Sequence, residues 1–168
     1  MNFAHVHLLL NHIPVIGLPV ALSFLLFSLL TNNMGTQRFG YFVLIALAIL
    51  TVPTYFTGEP AEHVIRHLPD FSERYVSAHE NSALISVILT SLTGVLALSA
   101  LYFQKNEARR RFLGKSVFVV ACLATLSLAY TSNLGGEVRH SELRALVNPP
   151  PAPQEPGATR ETPEGADN

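Results

Sequence analysis

The stretch that decides the fold is residues 81–104, which read NSALISVILTSLTGVLALSALYFQ and contain no Asp, Glu, Lys or Arg. A helix needs roughly 20 residues to cross the hydrocarbon core of a bilayer, so this uncharged run is long enough to span it. Because a backbone in lipid must satisfy its own hydrogen bonds, such runs predict helices. Three more uncharged runs occupy residues 1–37, 39–58 and 116–136. The four predicted spans lie near 12–31, 40–57, 80–103 and 115–134.

The composition agrees with a membrane protein. The chain is 49% hydrophobic and only 14% charged, which is too apolar for an ordinary soluble domain of 168 residues. A net charge of −1 argues against a nucleic-acid partner. Cys122 is the single cysteine, so the chain cannot build a disulfide framework or a cysteine-rich metal site by itself. The lack of a C-x-x-C-H motif excludes covalent c-type haem.

Basic residues predict the orientation in the membrane. The connectors after the first and third spans share one side, and they hold six of the 11 basic residues against one of the 12 acidic residues. By the positive-inside rule that side is cytoplasmic. We therefore expect a multi-pass membrane protein with both termini on the outer side.

The predicted fold class is all-α, a bundle of four transmembrane helices with a helical connector at the outer interface between the second and third spans. The membrane domain covers residues 1–147. Residues 148–168 are rich in proline and acidic side chains and predict a flexible tail that cannot bury a core. Small side chains along the third span predict close contact with a neighbouring helix. They are Ala83, Ser86, Thr90, Thr93, Gly94 and Ala97.

All seven histidines fall on the predicted outer side. His5 and His12 are seven residues apart and would share a helical face if the first helix begins early, whereas His7 would point elsewhere. Several glutamates accompany them in the outer segments. Polar side chains near membrane depth are costly unless they are paired or bound, so a histidine and glutamate cluster at the mouth of a bundle indicates a functional site.

Four short sequences resemble a group of bacterial four-helix membrane proteins of unknown function. They are residues 7–17 (HLLLNHIPVIG), 57–62 (TGEPAE), 79–80 (HE) and 135–140 (GGEVRH). The resemblance covers residues 1–145. Some relatives of that group are joined to Rieske iron–sulfur or cytochrome modules, which implies membrane electron transfer. The resemblance also implies a bacterial inner membrane, with the outer side and both termini in the periplasm.

The first functional hypothesis is a membrane electron-transfer subunit that binds b-type haem at the outer mouth of the bundle. Haem iron needs axial imidazoles from facing helices. His12 and His79 are the first predicted axial pair because both open spans, and His67 and His140 are the alternatives. Arg66 or Arg139 would contact the propionates.

Two other hypotheses use the same end of the bundle. One is a non-haem site for zinc, copper or iron, since imidazole and carboxylate occur together there. Its candidate ligands are His5, His7, His12, Glu59, Glu62, His63, His79, Glu80 and His140. The other is a non-catalytic accessory subunit of a respiratory or photosynthetic membrane complex. Enzyme status stays open, because no nucleophile and base stand at a recognisable spacing.

Overall fold

The computed structural model describes residues 2–140 together with Glu142 and Arg144. Within that part of the chain every regular element is a helix, which confirms the predicted all-α class. The elements are α1 (Phe3–Thr31), α2 (Met34–Phe56), α3 (Gly58–Ile65), α4 (Glu73–Tyr102) and α5 (Glu107–Arg139). Four helices, α1, α2 with its continuation α3, α4 and α5, are long and apolar enough to cross a membrane. The predicted tail, residues 148–168, lies outside the described residues.

The spanning helices are longer than the predicted spans. The first helix begins at Phe3, nine residues before the predicted span 12–31, because the side chain of Asn2 accepts a hydrogen bond from the backbone N–H of His5 (3.0 Å). At the same end of the bundle, α4 begins at Glu73 and α5 continues to Arg139. The predicted spans covered about the length needed to cross the hydrocarbon core, whereas helical hydrogen bonding continues beyond that length into the polar residues at this end of the bundle.

The chain bends between α2 and α3 at Thr57. Pro60 has no backbone N–H, so it cannot donate to the carbonyl of Phe56, where α2 ends. Proline is tolerated in the first turn of the next helix, and α3 begins at Gly58. The predicted helical connector between the second and third spans is therefore present, and it packs against α1.

The four long helices pack in a ring. Helix α1 contacts α2 and α5, and α4 contacts the same two helices, so α1 and α4 lie diagonally across the bundle. The ring encloses a core of aliphatic and small side chains, among them Leu18, Leu44 and Val117, each no more than 1% exposed. Large apolar side chains such as Ile49 (67% exposed) and Leu126 (68%) cover the outer surface, as expected of a surface that faces lipid.

Helices α2 and α4 are in close contact at the small side chains of the third span, as these side chains predicted. Ser86, Thr90, Thr93 and Gly94 are buried on α4. A Cβ built on Gly94 would collide with the Cβ of Ala48, so α2 and α4 approach closely at this point.

The bundle has two chemically different ends. The histidine end comprises the start of α1, the α2–α3 bend, the start of α4 and the end of α5. The arginine end comprises the α1–α2 and α4–α5 turns.

Candidate functional site

Two histidines face each other across the histidine end of the bundle. His7 lies on the second turn of α1 and His79 on the second turn of α4, the two diagonal helices. Their ring centroids are 6.5 Å apart, and the ring planes are nearly perpendicular at 89°. Both residues are partly buried. The site therefore contains one imidazole from each of two helices that do not pack directly on each other.

A threonine orients the ring of His7. The hydroxyl of Thr57, at the α2–α3 bend, donates its proton to the carbonyl of Thr54 (2.6 Å). The same hydroxyl oxygen lies 2.9 Å from Nδ1 of His7, so it must accept this second hydrogen bond. We infer that the proton of neutral His7 is on Nδ1 and that Nε2 keeps its lone pair.

The ring of His79 is oriented in the same way by α5. Its Nδ1 lies 3.0 Å from the carbonyl oxygen of Thr131, which can only accept. The proton of neutral His79 is therefore also on Nδ1, and its Nε2 is free to bind a ligand. A ring N–H donated to a backbone carbonyl is the usual arrangement behind metal-binding histidines.

A network of buried hydroxyl groups lies one to two turns after His79 along α4. Ser82 and Ser86 of α4 hydrogen bond to Thr131 Oγ1 at 2.6 and 2.8 Å, and Ser86 also bonds to Ser127 at 2.7 Å. The hydroxyl of Thr131 donates to the carbonyl of Ser127 (2.9 Å). These bonds join α4 to α5 and hold Thr131, and with it the acceptor of His79, in one position.

Glycines leave room beside both rings. A Cβ built on Gly135 would lie 3.1 Å from Cε1 of His79, closer than most real Cβ contacts. A Cβ on Gly58 would lie 3.7 Å from Cε1 of His7, an ordinary contact distance. Gly135 thus allows α5 to approach the His79 ring in a way that a larger residue would hinder.

The other predicted histidine ligands lie away from this pair. His12 is exposed, and its Nδ1 is engaged with the carbonyl of Leu8 on its own helix. His5 is exposed and contacts Asn2, the residue that caps α1. His63 and His67 are exposed on and after α3. Of the predicted axial pair His12 and His79, only His79 lies close to another histidine. That histidine is His7, not His12.

The last histidine, His140, is exposed and pairs locally. Its Nδ1 lies 2.9 Å from the Glu142 carboxylate. The backbone N–H of Glu142 and the His140 ring hold the pKa of that carboxyl below its usual value. His140 is thus engaged beyond the end of α5.

The predicted acidic residues Glu59, Glu62 and Glu80 lie near one another, and Arg66 lies beside them. Glu62 forms an ion pair with Arg66 at 2.9 Å. Glu59, Glu80 and Arg139 are exposed. Among the residues that the structure describes, no three His, Cys, Asp or Glu side chains form a group that could hold a metal ion. The nine predicted metal ligands therefore do not form one metal site in this structure.

Sequence reasoning missed the residues that position the two rings. Thr57 and Thr131 carry no charge and have no distinctive spacing, although Thr57 does open the TGEPAE stretch. Arg144 was also missed. Its guanidinium donates to the carbonyls of Glu137, Val138 and Asp70 (2.6 to 2.9 Å) and stacks over Tyr75, so it ties the α3–α4 connector to the end of α5.

The chain matches no known family, no curated protein and no solved structure in the comparisons made with each. The resemblance to bacterial four-helix membrane proteins therefore stays a prediction, and the function must be inferred from the site.

Proposed function

We propose that this protein is a membrane electron-transfer subunit that binds b-type haem through His7 and His79. The observation that carries the proposal is the pair itself: two imidazoles from diagonal helices, each with Nδ1 engaged and Nε2 free. Bundles build cofactor sites from side chains on facing helices. His7 replaces His12 in this proposal because His12 lies on another face of α1.

The separation of the rings suits two axial ligands. Imidazole nitrogens bind transition-metal ions at about 2.0–2.1 Å, so two rings on opposite sides of one ion have centroids roughly 6 Å apart. The observed separation is 6.5 Å. The neutral Nδ1–H form inferred for both histidines is the form that offers Nε2 to iron.

Haem fits the described residues better than a non-haem metal ion does. A structural zinc site takes four protein ligands and a catalytic one takes three, but the described residues contain no such group. Haem needs only two protein ligands because the porphyrin supplies the rest. His7 and His79 would hold the group, and the chemistry that it would supply there is electron transfer.

The proposal also includes a redox partner and an orientation in the membrane. A one-electron carrier needs a donor and an acceptor, so the protein would belong to a larger membrane redox complex. Arg66 and Arg139 are the basic residues at the histidine end proposed to contact the propionates. The positive-inside rule places this end on the periplasmic side of a bacterial inner membrane, with both termini there.

Absorption spectroscopy of the purified protein tests the proposal. We expect a Soret band and, after reduction, the sharp visible bands of six-coordinate low-spin haem. His7→Ala and His79→Ala should each bind haem at least about tenfold more weakly or convert it to a high-spin form, because each removes an axial ligand. His12→Ala is the matched control and should keep the wild-type spectrum.

Two results would contradict the proposal. One is wild-type protein that binds no haem when expressed with haem or titrated with it. The other is loss of the spectrum in His12→Ala but not in His7→Ala, which would restore the pair predicted from sequence. Zinc or copper bound in stoichiometric amounts without haem would favour the non-haem alternative.

A further inference from the structure

A cavity with several basic residues in its lining opens at the arginine end of the bundle, far from the two histidines. It has a volume of about 330 Å³ and lies between the α1–α2 turn and the first turns of α5. Its polar lining comes from Asn32, Asn33 and Gln37 on one side and from the basic side chains of α5 on the other. Those basic residues are Arg110, Arg111 and Lys115.

The cavity lining is strongly positive. Its lining residues in the described part of the chain include three cations and no Asp or Glu. Arg111 is paired with Glu107 on the solvent side, which leaves Arg110 and Lys115 as the cations without a carboxylate contact among the described residues. Arg110 is partly buried, and its one side-chain hydrogen bond among the described residues runs from Nη1 to the sulfur of Met34 (3.1 Å), a weak acceptor. The guanidinium can therefore still donate hydrogen bonds to a stronger, anionic acceptor.

A buried hydroxyl lies behind the wall of this cavity and has no hydrogen-bond partner among the described residues. Tyr41 is 2% exposed, and its hydroxyl makes no hydrogen bond to any described residue. A Cβ built on Gly114 would lie 3.3 Å from this oxygen and 3.5 Å from Nε2 of Gln37. Gly114 and Gln37 both line the cavity. The hydroxyl of Tyr41 and the amide of Gln37 thus both lie beside Gly114, with the hydroxyl directly behind the glycine in the cavity wall.

We propose that this cavity binds a phosphate group, presented by the headgroup of an anionic phospholipid. The guanidinium of Arg110, the ammonium of Lys115, the amide of Gln37 and the hydroxyl of Tyr41 are all donors, and phosphate oxygens are acceptors that match such a set. Basic pockets between transmembrane helices are suited to anionic headgroups, and this one lies at the membrane interface. The proposal does not depend on haem binding, because the site lies at the other end of the bundle.

Thermal unfolding of the whole protein in a neutral detergent tests the proposal. Phosphatidylglycerol should raise Tm in a saturable way, and phosphatidylcholine should not. Inorganic phosphate at the same concentration distinguishes the source of the phosphate group. If it raises Tm as much as phosphatidylglycerol does, the ligand is a soluble phosphate. If it does not, the ligand is the lipid.

Variants locate the site. Arg110→Gln and Lys115→Gln should each weaken the apparent affinity for phosphatidylglycerol by about tenfold, the effect expected for one charge-assisted hydrogen bond. Arg109→Gln is the matched control, since Arg109 is the neighbouring arginine, stacks on Phe103 and does not line the cavity. Equal losses in Arg109→Gln and Arg110→Gln would overturn the proposal, because they would indicate general attraction between lipid and basic surface.

Tyr41→Phe separates binding from folding. This substitution removes a buried hydroxyl that has no partner, so the lipid-free variant should be at least as stable as the wild type. Its affinity for phosphatidylglycerol should nevertheless fall by about tenfold. Unchanged affinity in Tyr41→Phe together with unchanged affinity in Arg110→Gln would show that the cavity binds no phosphate.

Discussion

The contact between Gly135 and the ring of His79 leads to a sharp prediction about helix α5. A Cβ on Gly135 would lie 3.1 Å from Cε1 and 3.3 Å from Nδ1 of His79, whereas ordinary contact begins at 3.4 Å. In Gly135→Ala the ring must therefore move by about 0.3 Å at Cε1. It cannot move freely, because Nδ1 is hydrogen bonded to Thr131, which lies on the same face of α5 one turn earlier.

Two opposing free energies decide the stability of Gly135→Ala. Replacing glycine by alanine within a helix stabilises it by up to about 1 kcal/mol. Forcing an extra methyl group into a packed site typically costs about 1–3 kcal/mol. Gly136 is the matched control, because it lies about 100° further around the same helix and away from the His79 ring. We therefore expect Gly135→Ala to be less stable than Gly136→Ala by about 1–3 kcal/mol.

Reversible unfolding by SDS in mixed micelles measures this difference directly. In haem-loaded protein, Gly135→Ala should also shift the visible spectrum, since a proposed axial ligand is displaced, while Gly136→Ala should not. Equal stability of the two variants would refute the reasoning, because it would mean that His79 is not held between Thr131 and Gly135.

Two further predictions concern the bundle and its orientation. Gly94→Ala should destabilise the protein by about 1–3 kcal/mol, because the new methyl group forces α2 away from α4. Adding Ala48→Gly should recover most of this loss in the same unfolding assay. Additive losses from the two substitutions would contradict the contact. In a Cys122→Ala background, a membrane-impermeant maleimide applied to intact cells should label Glu59→Cys but not Lys105→Cys. The reverse pattern would show that the arginine end faces outward.

The sequence was sufficient for the class of fold and the number of helices. Uncharged runs such as residues 81–104 are long enough to span a bilayer, and lipid offers no alternative partner for their backbone groups. An even number of spans also brings both chain ends and the connector between the second and third spans to one end of the bundle, and these segments carry the histidines. Helix ends were less predictable, because the Asn2 cap lies ten residues before the predicted span 12–31 and the first turns of α4 carry charged residues that precede the uncharged run 81–104.

Which histidines meet was decided by tertiary structure alone. His12 and His7 are five residues apart, so their side chains point about 140° apart around α1, and sequence does not say which of the two directions is inward. Packing of α1 against α2 and α5 through Leu18, Ala21 and Leu25 sets that rotation and turns His7 toward His79.

The ring partners also depend on tertiary structure, because Thr57 and Thr131 are 50 and 52 residues from the histidines they orient. Local sequence determines where a helix forms, but the rotation of each helix about its axis depends on packing across the whole bundle. The sequence therefore determined four spans with histidines at one end, and the tertiary structure selected His7 and His79 from among seven.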